Sequence, residues 1–411
     1  MIVRFNPQPV DLQRLEVGPI GPHLRGFAAL IAKQNYSSVT GWLKMRLVAK
    51  FSRWLQQHRI SLKELNEARI GSFLNARRKR LVRHVGDRIT MDLLLRYLRE
   101  VNAAAPKPAS DGSDMDLLRL DYQNFLLGER SLFPSTCQVY LKVARRFLSQ
   151  RFPSGKIYLK DLEAKDVVAF VLHDTSTRGQ RSAQLMATVL RSFFSFLFQK
   201  GRIRMNLSAA VPTIPNRRLA DVPQYLEARD IERVLRSCDR RRDNGKRNYA
   251  IFLLLARLGL RANEVVQLTL DDIDWRAGEL VIRGKGARVD RLPLLKDIGE
   301  ALANYLKKAR PDSSSRHVFI QCKAPFQRFA GPGCVSNLVQ DALVRLQIRT
   351  SHRGAHVLRH SLATGMLRNG ASLAQIGQVL RHQLPETTEI YAKVDFNALR
   401  ALALPWVGGA Q

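Results

Sequence analysis

The stretch RHQLPETTEIYAKVD, residues 381–395, sets His382 nine residues before Tyr391, with a proline-led turn between them. Upstream, GLRANEV places Arg261 and Glu264 three apart, GKG puts Lys285 between two glycines, and HVLRH places His356 and Arg359 three apart. Residues three apart share one helix face. Each group alone has an ordinary reading: a surface ion pair, a turn lysine, an exposed or structural histidine. As a set they suit attack on a phosphodiester. Such an ester already carries a negative charge, and attack by an oxygen builds more. Two guanidiniums, Arg261 and Arg359, can grip the non-bridging oxygens bidentately and bind harder as charge develops. A phenol with a pKa near ~10 is neutral at pH 7 and must shed its proton as it attacks. Lys285 is a candidate general acid for the leaving 5′-oxygen. His382 can donate to a phosphate oxygen, and Glu264 orients its neighbours.

The composition points to the same substrate. The 411 residues carry 67 Lys and Arg against 35 Asp and Glu, a net charge of +32. That excess repels itself unless a polyanion is bound, and counterion release makes nucleic acid the natural partner. The basic residues are spread along the chain and not gathered in one amphipathic helix, which disfavours a membrane surface. Hydrophobic residues make up 45%, enough for a packed core. No run of 18 apolar residues is present, and MIVRFNPQPVDLQRLEVG lacks the features of a signal peptide, so the expectation is a cytoplasmic, DNA-associated protein. Cys137, Cys238, Cys322 and Cys334 form no CxxC pair and no zinc spacing; they read as free buried thiols. No metal and no cofactor are expected. GELVIRGKGA has the wrong glycine spacing for a phosphate-binding loop and no Ser or Thr after Lys285.

These side chains need a scaffold. Two Pro-rich stretches, 102–114 and 206–224, read as linkers and divide the chain into 1–103, 114–205 and 225–411. The first two parts look like copies. LKELNEARIGSFL aligns with LKDLEAKDVVAFV at an offset of 97, so Leu62, Lys63, Leu65 and Phe73 fall on Leu159, Lys160, Leu162 and Phe170. VTGWLKMRLVAKFSRWL resembles STCQVYLKVARRFLSQR at an offset of 96, and LLRYLREV resembles SFFSFLFQ. Three matched blocks in order predict two tandem helical modules. Thr40 and Ser135 or Thr136 sit where N-caps would. The basic run ARRKRLVRH, residues 76–84, is a solvated face or a phosphate contact. The third part reads as mixed: helices at 226–238 and 247–260, a hairpin over 278–294 with Lys285 at its tip, a third strand at HVFI (317–320), and helices again from 333.

In their order and spacing, ARLGLRANEVVQLTLDDIDW, GKGARVDRLPL, HVLRHSLATGML and IGQVLRHQLPETTEIYAKV resemble the tyrosine recombinase (phage-type integrase) family over essentially all of 225–411. More loosely, 114–205 resembles its helical core-binding domain. The resemblance implies a multidomain fold: two all-α, SAM-like helical DNA-binding modules at 1–103 and 114–205, then a mainly helical α+β catalytic domain at 225–411 with a small antiparallel sheet. It implies Arg261, Lys285, His356, Arg359 and His382 as the catalytic set and Tyr391 as the nucleophile, with His356 helping to take the phenolic proton. A site-specific recombinase working through a 3′-phosphotyrosine follows, in integration, excision or transposition of a mobile element. The implied partners are duplex DNA, further copies of the chain (two per site, four per synapse) and other recombinases, with no membrane.

One departure stands out. The family usually has Leu-Gly-His where this chain has Leu380-Arg381-His382. An arginine in left-handed backbone there costs about 1 kcal/mol, and it puts the placement of His382 in question, or adds a phosphate contact. Beyond Tyr391, Phe396, Leu399, Leu402, Leu404 and Trp406 form an apolar stripe, suited to packing on its own domain or on a neighbouring protomer. Two other functions share much of this pattern: type IB topoisomerase-like relaxation of DNA, and a DNA-binding accessory protein with a decayed site.

Overall fold

The computed structural model describes residues 4–78, 86–106, 114–176, 179–215, 223–284, 288–351 and 354–394. The described chain forms two compact units, one of residues 1–59, 81–94 and 219–411, the other of residues 60–80 and 95–218. The break near residue 219 falls in the second Pro-rich stretch, and residues 1–103 are shared between the units.

The N-terminal helices are α1 (Pro9–Gln13), α2 (Leu24–Lys33), α3 (Ser38–Gln57), α4 (Glu67–Arg78) and α5 (Gly86–Glu100). They are followed by α6 (Asp114–Asn124), α7 (Pro134–Arg151), α8 (Ala164–Ser176) and α9 (Gln180–Gln199). The two series repeat element by element. After α3 comes a single 3₁₀ turn at Leu62–Glu64, and after α7 one at Leu159–Asp161. α4 and α8 begin 97 residues apart, at Glu67 and Ala164. α5 and α9 both end in a left-handed residue, Asn102 and Gly201, followed by an N–H that reaches five residues back, from Ala103 to Leu98 and from Arg202 to Leu197. This is the hydrogen bonding that satisfies the last carbonyls of a helix. The expected caps are displaced. Ser37, not Thr40, caps α3 and accepts from the Thr40 N–H, while α7 opens on Pro134, whose missing N–H is no loss at a first helical position.

The second unit is aromatic at its centre. Phe193, Phe194, Phe196 and Leu197 of α9 are all buried against Tyr122, Phe125, Phe147 and Phe170. Phe147 meets Phe170 and Phe194 edge-on, with ring centroids 5.3 and 5.2 Å apart.

The last part of the first unit contains α10 (Ala228–Arg236), α11 (Asp243–Arg257), α12 (Ala262–Gln267), β1 (Ile273–Asp274), β2 (Glu279–Arg283), β3 (Val289–Pro293), α13 (Lys296–Lys308), α14 (Pro332–Arg345), α15 (His356–Arg368) and α16 (Leu373–Val379). Ala250 to Ala256 of α11 are buried on every side, so this helix is the axis on which the others pack. β2 and β3 pair antiparallel from Glu279–Pro293 to Arg283–Val289, as the hairpin pattern predicts. The third strand, however, is β1 and not HVFI, which makes only isolated bridges from His317 and to Arg328 among the described residues. Val318, Phe319 and Ile320 are wholly buried, and the Val318 N–H goes to the Leu268 carbonyl, so this apolar run plugs the core beside the loop after α12. The four cysteines are free, two buried and two half-buried. No described helix is long and apolar enough to cross a membrane.

Candidate active site

The site begins where α11 stops. Gly259 has φ +58°, and a Cβ there would lie 2.7 Å from Leu380 Cδ2 and 3.0 Å from Leu362 Cδ2. Glycine meets both demands, the left-handed turn and the close approach. The turn delivers Arg261 to the start of α12 and aims the Gly259 carbonyl at Arg359.

Glu264, on the first turn of α12, is 5% exposed. Its Oε2 accepts the Arg261 main-chain N–H at 2.8 Å, and its Oε1 accepts Nη1 of the Arg261 side chain at 2.7 Å. Burial opposes the charge on Glu264, but the Arg261 hydrogen bonds and the Arg381 and Arg261 charges outweigh it and hold the pKa below the usual carboxylate range. The glutamate therefore stays ionised and fixes Arg261, whose side chain is 38% exposed and open to a ligand.

Arg359 sits in the first turn of α15 and is 3% exposed. It donates through Nη1 to the Gly259 carbonyl and through Nη2 to the Leu380 carbonyl, so it ties the turn after α11 to the end of α16. Burial, followed by repulsion from Arg261, lowers its pKa to about 10, which leaves it charged at pH 7. Arg381, the departure from the family pattern, has the left-handed backbone expected of that position, with φ +56°. The helix end is satisfied all the same: the Arg381 N–H reaches the Gln378 carbonyl and the His382 N–H the Gly377 carbonyl.

His382 is thus placed despite the arginine before it. Its Nδ1 lies 2.7 Å from Thr388 Oγ1. Burial and the Arg359 and Arg261 charges push its pKa down to about 4, so the ring is neutral at pH 7. Tyr391 follows in a 3₁₀ segment, Glu389–Val394, and is 1% exposed among Ala363, Ile376, Leu380 and Val394. Burial, partly offset by Arg359, pushes its pKa up to about 12. The phenol oxygen lies 2.8 Å from Nδ1 of His360.

Of the six residues singled out in the sequence, Arg261, Arg359, His382 and Tyr391 are brought to one neighbourhood through the ends of α11 and α16. Lys285 lies outside the described residues; so does the apolar stripe from Phe396 to Trp406, and most of the 76–84 basic run. His356 is exposed, one helical turn before His360, with ring centroids 6.2 Å apart. The hydrogen bond to the phenol runs to His360, which the sequence reading passed over. The signal was present: His360 closes the same HVLRH segment. Thr388 was also missed, though it lies three residues before Tyr391 and its carbonyl accepts the Tyr391 N–H.

The sequence pattern of the phage integrase family matches residues 224–398. A putative integrase/recombinase, y4rA, of Sinorhizobium fredii is 42% identical over 402 residues, covering 97% of this chain and 98% of the relative. The chain belongs to the tyrosine recombinase (phage integrase) family. It is an enzyme of the class that cleaves and rejoins DNA. Tyrosine recombinase XerD of Listeria monocytogenes is 29% identical over 282 residues, covering 67% of this chain and 93% of XerD. Among solved structures, XerH site-specific recombinase bound to palindromic difH substrate matches with a TM-score of 0.54 at 20% identity, over 85% of this chain and 99% of that one. A lambda integrase dimer bound to a COC′ core site matches with a TM-score of 0.50 at 17% identity, over 71% of this chain and 98% of that one. Both likenesses are of fold.

Proposed function

We propose that this recombinase exchanges DNA strands at specific sites through a 3′-phosphotyrosine intermediate, in the integration, excision or transposition of a mobile element. The observation that carries the reading is the arrangement of Arg261, Arg359 and His382 around the ends of the helices that cover Tyr391. Two guanidiniums and a neutral imidazole are a fit receptor for a phosphodiester, and among the described residues Glu264, already bridged, is the acid hydrogen-bonded to Arg261. The phenolic oxygen forms the bond to phosphorus, the bond to the 5′-oxygen breaks, and the phosphate ester is conserved for the return attack by another strand's 5′-hydroxyl. The phenolic proton goes to Nδ1 of His360 in the tautomer that leaves that nitrogen free to accept. His356 stands one turn further out on the same helix, so the role expected of it passes to His360. With the Thr388 hydroxyl donating to Nδ1 of His382, the proton of that ring sits on Nε2, where it can donate to a phosphate oxygen. Lys285 would protonate the leaving 5′-oxygen.

Duplex DNA is the substrate the +32 charge favours. XerH and lambda integrase are bound to DNA in their structures, and lambda integrase is also known as a tetramer on a Holliday junction, with a TM-score of 0.51. By that likeness this chain acts as a dimer on each site and a tetramer in the synapse. The proposed division is 114–205 as core-binding module, 225–411 as catalytic domain, and 1–103 as an added module that lengthens the footprint. The test uses nicked suicide duplexes drawn from DNA flanking the gene. A covalent adduct with the wild type that is lost in Tyr391→Phe supports the reading; an adduct that persists in the variant makes another residue the nucleophile. No adduct despite tight binding favours a DNA-binding accessory role.

A further inference from the structure

Arg381 stands in strained backbone that glycine would occupy freely, so its side chain should have a use. That side chain is not turned out toward a ligand: it is 5% exposed. Nη2 donates to Glu264 Oε2 at 3.0 Å, and Nη1 to the Val379 carbonyl at 3.3 Å. Nε is buried, 4.0 Å from Asp290 Oδ2, and has no hydrogen-bond partner among the described residues. The Arg381 carbonyl faces Nη2 of Arg261 at 3.4 Å. One residue therefore touches Arg261 twice, through its own carbonyl and through the glutamate that Arg261 shares.

Glu264 is the hinge of this arrangement. Its Oε1 holds the Arg261 side chain, while Oε2 receives both the Arg261 main-chain N–H and Nη2 of Arg381. With glycine at 381, Oε2 would keep only the main-chain contact, and the carboxylate could rotate about its last bond and carry the Arg261 guanidinium with it. A guanidinium bound at two edges cannot follow that rotation.

We propose that Arg381 is a positioning residue for the phosphate clamp: it pins Glu264 so that Arg261 is presented in one orientation, a task that the family's usual glycine cannot perform by side chain. This rests on the reading that Arg261 grips the scissile phosphate. It differs from a phosphate contact by Arg381 itself, which the burial of its guanidinium argues against.

The test is single-turnover cleavage of the suicide duplex by wild type, Arg381→Gly, Arg381→Lys, Glu264→Gln and the Gly/Gln double variant, with DNA affinity measured against salt and folding checked by circular dichroism. Arg381→Gly is expected to cleave about 10- to 100-fold more slowly, the range for a misplaced catalytic group, with unchanged affinity and salt dependence. Arg381→Lys, which keeps the charge without the fork, is expected to recover part of the rate and serves as the readout should the glycine variant not fold. Because Arg381 acts through Glu264, the double variant should be no slower than the slower single variant. Wild-type cleavage by both Arg381 variants, or losses that multiply in the double variant, would overturn the inference. So would a salt slope reduced by about one, the sign of a lost phosphate contact. No adduct with the wild type overturns the cleavage reading and this inference together; an adduct with unaffected Arg381 variants overturns this inference alone.

Discussion

The surroundings of the two arginines, Arg261 and Arg359, and those of Tyr391 are built by opposite means. Around Arg261 and Arg359, every charged fork has several fixed partners: Glu264, the Gly259 and Leu380 carbonyls and the Arg381 carbonyl. Around Tyr391 the walls are apolar, and the phenol hydroxyl is tied by a hydrogen bond to His360. Polar networks of the first kind are costly to break and rigid, whereas an apolar pocket with a single polar tie can release its occupant with little electrostatic loss. The two arginines are thus held by many polar ties, and the Tyr391 hydroxyl by one to His360.

This contrast can be broken from either side. The largest effect belongs to the nucleophile: Tyr391→Phe should abolish the covalent adduct altogether while duplex affinity, read by gel shift, stays unchanged. Next, Arg359→Ala should slow single-turnover cleavage by roughly 10²- to 10³-fold, the scale for one lost donor to a developing oxyanion. It should also lower thermal stability, since the Gly259 and Leu380 carbonyls lose a buried charged donor, worth about 3 kcal/mol. A fold as stable as the wild type would mean that those carbonyls find other partners. Smaller again, His360→Phe should cost about 10²-fold in cleavage and remove one limb of the pH–rate profile; an unchanged profile would return the proton-accepting role to His356.

The smallest effect sharpens the electrostatic half of the comparison. Glu264 has a folded pKa below its unfolded value of 4.5, so it binds fewer protons when folded, and its contribution to stability is full above that value and lost as pH falls through the folded pKa. His382, lowered from 6.5 to about 4, also binds fewer protons when folded, so its neutral form adds stability as pH rises from about 4 to 6.5. Melting temperature should therefore climb with pH across this window. Glu264→Gln should flatten the lower part and His382→Asn the upper part; a melting curve unchanged in shape by both would show that neither group carries its shift.

How legible the molecule was depends on the range of the interactions involved. The hairpin and the apolar helix α11 follow from local periodicity and read directly. Arg261, Arg359 and Tyr391 stand out through the order of motifs that resemble the family, since spacing alone leaves each with an ordinary reading. HVFI misled because four apolar residues suit a strand and a core plug alike, and only the hydrogen bond from Val318 to Leu268 decides between them. His360 and Thr388 escaped because their use depends on a turn that brings Tyr391 back over α15, a contact 31 residues long in sequence. Arg381 could be recognised as strained, since the helix-end pattern is local, but its partner Glu264 lies 117 residues away.

The sheath over Tyr391 also bears on fidelity. A net charge of +32 favours phosphates whatever the base sequence. The Tyr391 phenol is 1% exposed, and burial pushes its pKa up to about 12, so in this state it is withheld from them. If Tyr391 is the nucleophile proposed above, the Glu389–Val394 turn has to shift before the phenol reaches a phosphate, so a few residues of backbone would stand between binding and cutting.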